Sequence, residues 1–343
     1  MSIRPAPAAP SSRAVLALVM ASCASAALAQ AAAPQQSALR AHGDGAAHIL
    51  EIAWVLIAGG GLIFIAVMAL GVVALSGPAS LRTRLAQRGW VVGAGVVFPL
   101  VVLTVLLVYT FAVAASMQRA QAQPAATRIQ VTGELWWWRV RYLGPDGATL
   151  LETANELRIP TGEPVDVELV SNDVIHSFWV PSLAGKVDML PGSTNRLRLR
   201  ARGPGVFRGQ CAEYCGLQHA KMALHVIAHA PAEHAAWMEA NRSPAALPRE
   251  PLAQQGRVLF EQARCGVCHT VRGTPATGSI GPDLTHVGSR LTLAAGTLPN
   301  GQGPLAAWIA DPQHIKPGSR MPGYTRFSGE ELRALATYLE GLR

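Results

Sequence analysis

Two stretches of this chain run too long without a charge to be ordinary core helices. Residues 52–75 read IAWVLIAGGGLIFIAVMALGVVAL, and residues 90–115 form a second such run. A helix rises about 1.5 Å per residue, so the first would be roughly 36 Å long, enough to cross the hydrocarbon of a bilayer. The loop between them, SGPASLRTRLAQRG, holds Arg82, Arg84 and Arg88 and no acid. Cationic loops stay cytoplasmic, so the two runs read as a hairpin whose outer ends face the other side, with everything after Gln118. Pro99 predicts a kink in the second run. The spans explain why half of the residues are hydrophobic and the mean hydropathy is +0.24. The formal charge of +8 comes from scattered basic residues concentrated only in that loop. It expresses topology, and nucleic-acid binding is excluded as a reading.

The N-terminus agrees with export. Arg4 and Arg13 precede an apolar stretch, and Ala27-Leu28-Ala29 reads as a cleavage signal before Gln30, giving a signal peptide over residues 1–29. Lipidation at Cys23 is the alternative, although Met20 fits poorly at the position three before it.

Beyond the hairpin, residues 45–118, the pattern changes twice. Residues 125–230 alternate short β-rich segments with turns: Val165, Val167 and Leu169 have period two, as do Leu197 and Leu199, and Pro191-Gly192 marks a turn. That spacing predicts an all-β sandwich or barrel. Residues 231–250 are Pro/Ala-rich and read as a linker, with a short helix starting near Glu233. Residues 251–343 are amphipathic and predict an all-α unit, its last helix opened by a Ser328/Glu331 capping box.

The cysteines locate the chemistry. Apart from Cys23 they form two close pairs, each beside a histidine. Cys265-Gly-Val-Cys268-His269 is the attachment pattern for a c-type haem. Its thiols bond the vinyl groups, and His269 falls beneath the iron. Met321, the only methionine after that motif, sits in a Pro/Gly-rich loop and is the candidate sixth ligand, with His286 and His314 as rivals. The order of haem motif, Gly-Pro-Asp-Leu at 281–284, methionine loop and final helix resembles class I cytochrome c.

The other pair lies in GQCAEYCGLQHAKM, residues 209–222. Cys211, Cys215 and His219, with His176 from upstream, would suit tetrahedral zinc. Met222 does not fit zinc; thiolate, imidazole and thioether together suit copper. A Cys211–Cys215 disulfide is the third reading.

These residues resemble subunit II of the haem–copper cytochrome c oxidases. The family pattern C-x-E-x-C-x3-H-x2-M is met at every position, alongside VIHSFWVPSLAGKVDMLPG, the hairpin and a tryptophan-rich strand. The fused haem unit resembles the caa-type variant. The resemblance implies a cupredoxin-like barrel carrying a binuclear CuA centre, bridged by Cys211 and Cys215. His176 and Met222 would complete one copper; His219 and the Glu213 carbonyl would complete the other. It further implies a magnesium shared with subunit I at the Glu213 carboxylate, and electron entry at Trp136. No residue in this chain would be catalytic in the oxygen chemistry.

The implied protein is a multi-pass subunit of a bacterial inner-membrane oxidase, in contact with lipid, with its copper and haem units in the periplasm. Its partners would be subunit I and other oxidase subunits, and its donor a soluble or membrane-bound cytochrome c or the bc complex. A CuA-containing nitric oxide reductase subunit and a free membrane-anchored carrier are the rival functions. One departure stands out: many family members carry an acid at the start of the second span, and WVVGAGVVFP has none. That puts proton uptake at that entrance in doubt.

Overall fold

The computed structural model describes residues 35–121 and 125–343; the leader read over residues 1–29 lies outside them. Helix α1 (Asp44–Ser76) and the helical run Arg88–Gln118 are long and apolar enough to cross a membrane, and 0% of either apolar window is buried against protein. Apolar rods with no protein cover need lipid around them. Between them, α2 (Ala79–Leu85) carries Arg82 and Arg84. The second run comprises α3 (Arg88–Val92), a wide π turn at Gly93–Val97 and α4 (Phe98–Gln121). Pro99 explains the wide turn. It has no N–H for the carbonyl four residues back, and its ring crowds that carbonyl, so the backbone opens there.

The hairpin is strapped to the domain above it. Asp44 pairs with Arg202 at 2.8 Å and Arg200 at 3.5 Å. The backbone N–H groups of His42 and Ala46 donate to Ser182 and Leu183. The Ala46 bond, with one from the Asp44 amide to the Arg200 carbonyl, satisfies first-turn amides of α1 that have no partner within the helix.

Ten strands follow: β1 (Thr127–Glu134), β2 (Trp137–Leu143), β3 (Thr149–Ala154), β4 (Glu156–Pro160), β5 (Val165–Ser171), β6 (His176–Trp179), β7 (Val187–Met189), β8 (Asn195–Leu199), β9 (Gly205–Cys211) and β10 (Ala223–His229). They make two mixed five-stranded sheets, ordered β3-β2-β1-β5-β8 and β4-β10-β9-β6-β7. The alternation read in the sequence sets the register. Val165, Val167 and Leu169 point into the core, and Leu199 and Leu197 oppose the first two across β5–β8. The outward residues between them pair ionically, Asp166 with Arg198 and Glu168 with Arg128. The core between the sheets is filled by Trp138, Tyr142, Phe178 and Phe207. Trp138 meets Phe178 edge-on at 5.9 Å.

Within the stretch read as linker, residues 231–242 form helix α5 (Pro231–Arg242), which lies on the β domain. Trp237 packs against Tyr142 at 5.4 Å and receives the Arg158 guanidinium over its ring. Proline at the first helical position starts it, where no N–H is needed.

The helical unit comprises α6 (Pro251–Gln262), a short ribbon of β11 (Thr292–Leu293) and β12 (Leu298–Pro299), α7 (Gln302–Ala310), α8 (Pro312–Ile315) and α9 (Gly329–Gly341). Helices α6 and α9 pack across Phe260 and Tyr338. Ser328 and Glu331 cap α9 reciprocally, an arrangement contributing about 1 kcal/mol. This unit sits directly on the β domain. Arg139, buried and paired with Glu134 and Glu152, donates to the Ser279 carbonyl, and the Glu156 carboxylate accepts from the Leu291 amide.

Candidate functional site

Two donor sets lie on either side of this contact. The first is formed by the end of β9, the loop to β10 and the start of β6. The Cys211 and Cys215 sulfurs are 3.7 Å apart, too far for a disulfide bond. His176 Nδ1 lies 3.9 Å from the Cys211 sulfur; His219 Nδ1 and Met222 Sδ lie 3.7 and 3.8 Å from that of Cys215. The Glu213 carbonyl is 3.2 Å from the Cys211 sulfur. Two thiols thus sit at the centre, with two imidazoles, a thioether and a carbonyl around them. The ligand atoms of His176, Cys211 and Cys215 lie within 4.8 Å of one another. A hard cation has no use for a buried thioether, whereas copper does. Metal-free, the two sulfurs share a proton. The hydrogen bond between the two sulfurs holds the Cys211 thiol well below its usual range, helped by His176, and the same bond pushes Cys215 up.

The local sequence explains this geometry. Gly133 on β1 lets the His176 ring lie against the backbone; a Cβ there would stand 2.7 Å from the ring. Asp173 accepts from His176 Nε2 at 2.8 Å and from the Leu135 amide at 2.8 Å. The imidazole is thereby oriented with Nδ1 toward the sulfurs. The Glu213 carboxylate is half exposed and lies 3.6 Å from Lys186. His225 and His229 sit on β10, away from the donor set.

The second set lines a mostly apolar cavity in the helical unit. Cys265, Cys268, His269 and Met321 are all on its wall, while His286 and His314 are outside it. His269 Nδ1 donates to the Pro282 carbonyl at 2.8 Å, which leaves Nε2 free. Gly281 is required beside it, since a Cβ would lie 2.5 Å from the ring. The cavity fits haem on one further count. Arg290 Nε and Thr292 Oγ1, both on its wall, are buried polar atoms without a partner. Buried donors of that kind await an acceptor such as a propionate.

Trp136 lies between the two sets. Its indole Nε1 donates to the Cys215 carbonyl at 2.9 Å, its ring lies 3.2 Å from where a Cβ on Gly318 would stand, and the residue is on the cavity wall. Asp173 carried a readable signal, its spacing three before His176. Arg290 and the buried Lys316 carried none, because only the packed structure reveals that they are enclosed.

Fold and donor sets define a membrane-anchored electron-transfer protein. Residues 140–229 match the family described as cytochrome c oxidase subunit II, periplasmic domain, and residues 253–343 match cytochrome c. Cytochrome c oxidase subunit 2 of Alkalihalophilus pseudofirmus is 41% identical over 251 residues, covering 72% of this chain and 71% of that one. The Bacillus subtilis protein of the same name is 33% identical over 264 residues, covering 72% and 73%. A solved structure, the periplasmic domain of subunit II of cytochrome oxidase (CoxB) of Bradyrhizobium japonicum, is 30% identical with a TM-score of 0.33, covering 35% of this chain and 96% of that one. The chain belongs to the cytochrome c oxidase subunit II family, with a cytochrome c domain at its C-terminal end. It is an electron-receiving oxidase subunit that associates with subunit I and other oxidase subunits; its β domain implies copper and its helical domain haem. The two apolar helices anchor it, with the β domain on the extracellular side of the membrane.

Proposed function

We propose that electrons enter this chain at a covalent haem c, pass to a binuclear copper centre, and leave to subunit I, where oxygen is reduced to water with proton pumping. Cys265, Cys268, His269 and Met321 would hold the haem. Cys211 and Cys215, with His176, Met222, His219 and the Glu213 carbonyl, would hold the coppers. The observation that carries this reading is Trp136, bonded to the copper loop and lining the haem cavity.

Haem c would supply a one-electron iron couple, and paired copper a one-electron couple shared between two metals. The chain's own residues do the rest. Asp173 fixes His176, and the Pro282 carbonyl fixes His269, so neither ligand has to turn when the oxidation state changes. Burial of Cys211, Cys215 and Met222 keeps water from the copper ligands. Trp136 joins the two sites. Because the helical unit covers it, an outside donor, a cytochrome c or the bc complex, delivers electrons to the haem rather than to Trp136. The Glu213 carboxylate faces outward, where a magnesium shared with subunit I would be held.

The working units are an anchor at residues 45–118, a copper domain at 125–230, a connection at 231–250 and a haem domain at 251–343. They lie in a bacterial inner membrane with the redox domains in the periplasm. The test is purification with metal and haem analysis. A c-type haem spectrum, about two coppers per chain, a co-purifying multispan subunit and oxygen consumption are expected. Turnover of nitric oxide but not oxygen, or isolation free of any multispan partner, would overturn the assignment.

A further inference from the structure

Lys316, at the end of α8 and just ahead of the Met321 loop, is only 3% exposed. Among the described residues no carboxylate pairs with it. Its ammonium instead spends its three protons on three backbone carbonyls: Trp136 at 2.7 Å, Lys221 at 2.7 Å and Ala294 at 3.1 Å. An ammonium has three donors, so the set is complete. Burial pulls the pKa of this group down to about 7, with repulsion from Lys221 adding to it. Burying a cation without a counter-ion is costly, and folds accept that cost where the geometry is needed.

The acceptors show what the geometry is for. Trp136 is the residue between the two donor sets. Lys221 stands in the chain between His219 and Met222. Ala294 belongs to the haem unit. Nearby bonds run the same way: Gln218 Nε2 donates to the Pro317 carbonyl at 2.7 Å, Lys221 Nζ to that of Ile315 at 2.6 Å, and the Ala223 amide to that of Ala295 at 3.0 Å. The copper-ligand segment and the loop leading to Met321 are thus sewn together from both sides, with Lys316 at the centre.

We propose that Lys316 is a positioning residue for electron transfer within this chain. Its ammonium clamps the Met321 loop onto the Trp136 turn and the copper loop, holding the haem at one fixed separation from the copper. This rests on the haem-and-copper reading above. The haem unit is then a built-in part of the relay, not a carrier that swings on its linker and rebinds. The haem would supply one electron and the copper centre would accept it, with no bond made or broken.

The test uses the full-length loaded chain in detergent, as wild type, Lys316→Met and Lys316→Gln. Haem is reduced by a flash and the copper absorbance is followed. Met keeps the length and no donors; Gln keeps two. Transfer should slow by about tenfold or more in K316M, as expected when a reacting pair loses its fixed geometry, and by less in K316Q. Measured below about pH 7, where the Lys316 amine is charged, the potentials of both centres should move negative in both variants alike, since each loses the same nearby positive charge, which favours the reduced forms. A K316M protein with full copper and haem that transfers at the wild-type rate would overturn the proposal. So would unmoved potentials in both variants. If neither variant folds, amide exchange in the wild type decides. The Ala223 amide should be as slow as that of Val226 in the barrel core, and fast exchange at Ala223 alone would show that the haem unit detaches. Wild-type protein without copper or covalent haem would instead sink the functional reading, and the exchange measurement would still judge the docking.

Discussion

The indole Nε1 of Trp136 donates to the main-chain oxygen of Cys215 at 2.9 Å. A residue of the β1–β2 turn is thereby fastened to the backbone of a copper-ligand candidate, while the same residue lines the haem cavity. Trp136→Phe keeps an aromatic ring and removes the donor. The loss should cost about 1 kcal/mol of stability, the usual net value of one such bond. Electron transfer from haem to copper should slow, while copper and haem content stay at wild-type levels. Flash-reduction kinetics beside metal analysis would check it. Unchanged kinetics would remove Trp136 from the path.

Met321 shares the cavity wall with His269, and both rival histidines lie outside. Met321→Leu fills nearly the same volume, so the fold should lose less than about 1.5 kcal/mol. The haem potential should fall, because methionine ligation raises it. A redox titration followed by haem absorbance measures this. An unshifted potential would exclude Met321 as a ligand.

How much of this was legible beforehand differs by residue. The hairpin was, because no ordinary globular core needs an uncharged helix as long as a membrane is wide. The clustering of Cys211, Cys215, His219 and Met222 was too, because they lie within a dozen residues; His176, far upstream, is brought to them only by the pairing of β6 with β9. Asp173 was only half legible: an acid three residues before a histidine is common, and only the 2.8 Å contact gives it a task. Lys316 was not legible at all. A lysine in a Pro/Gly-rich loop reads as solvent-exposed, and its burial arises from two domains meeting, which no local pattern records. The short helix expected near Glu233 is there as residues 231–242, but its seat was not legible: Trp237 packs on Tyr142 of the β domain.

Asp173→Ala tests how far His176 depends on its neighbour. Removing the carboxylate frees the imidazole to rotate and leaves the Leu135 amide without its acceptor. Losing such an outer partner lowers metal affinity by about 10- to 100-fold. Copper retention against a competing chelator measures the change. Retention equal to wild type would show that packing alone orients His176.

The copper domain should weaken in acid, and the histidines of β10 and α5 give the reason. His225, His229 and His234 all have pKa values lowered from 6.5. Burial is the first cause at each. Arg208 adds repulsion at His225 and Arg158 at His229, where Glu233 opposes it. At His234 the Arg158 carbonyl opposes burial, and His229 adds repulsion. The unfolded chain therefore takes up protons near pH 6.5 while the folded chain resists. In that window the unfolded state binds more protons, so stability rises with pH and is lost as pH falls through 6.5. The loss levels off once the folded-state values are passed. Thermal melts of the loaded full-length chain between about pH 7.5 and 5 would follow it, the linkage predicting a falling Tm. Replacing His225 and His229 with Gln should make the slope shallower, because two of the three groups that bind the extra protons are gone and only His234 remains. A slope unchanged in that double variant would place the acid sensitivity elsewhere.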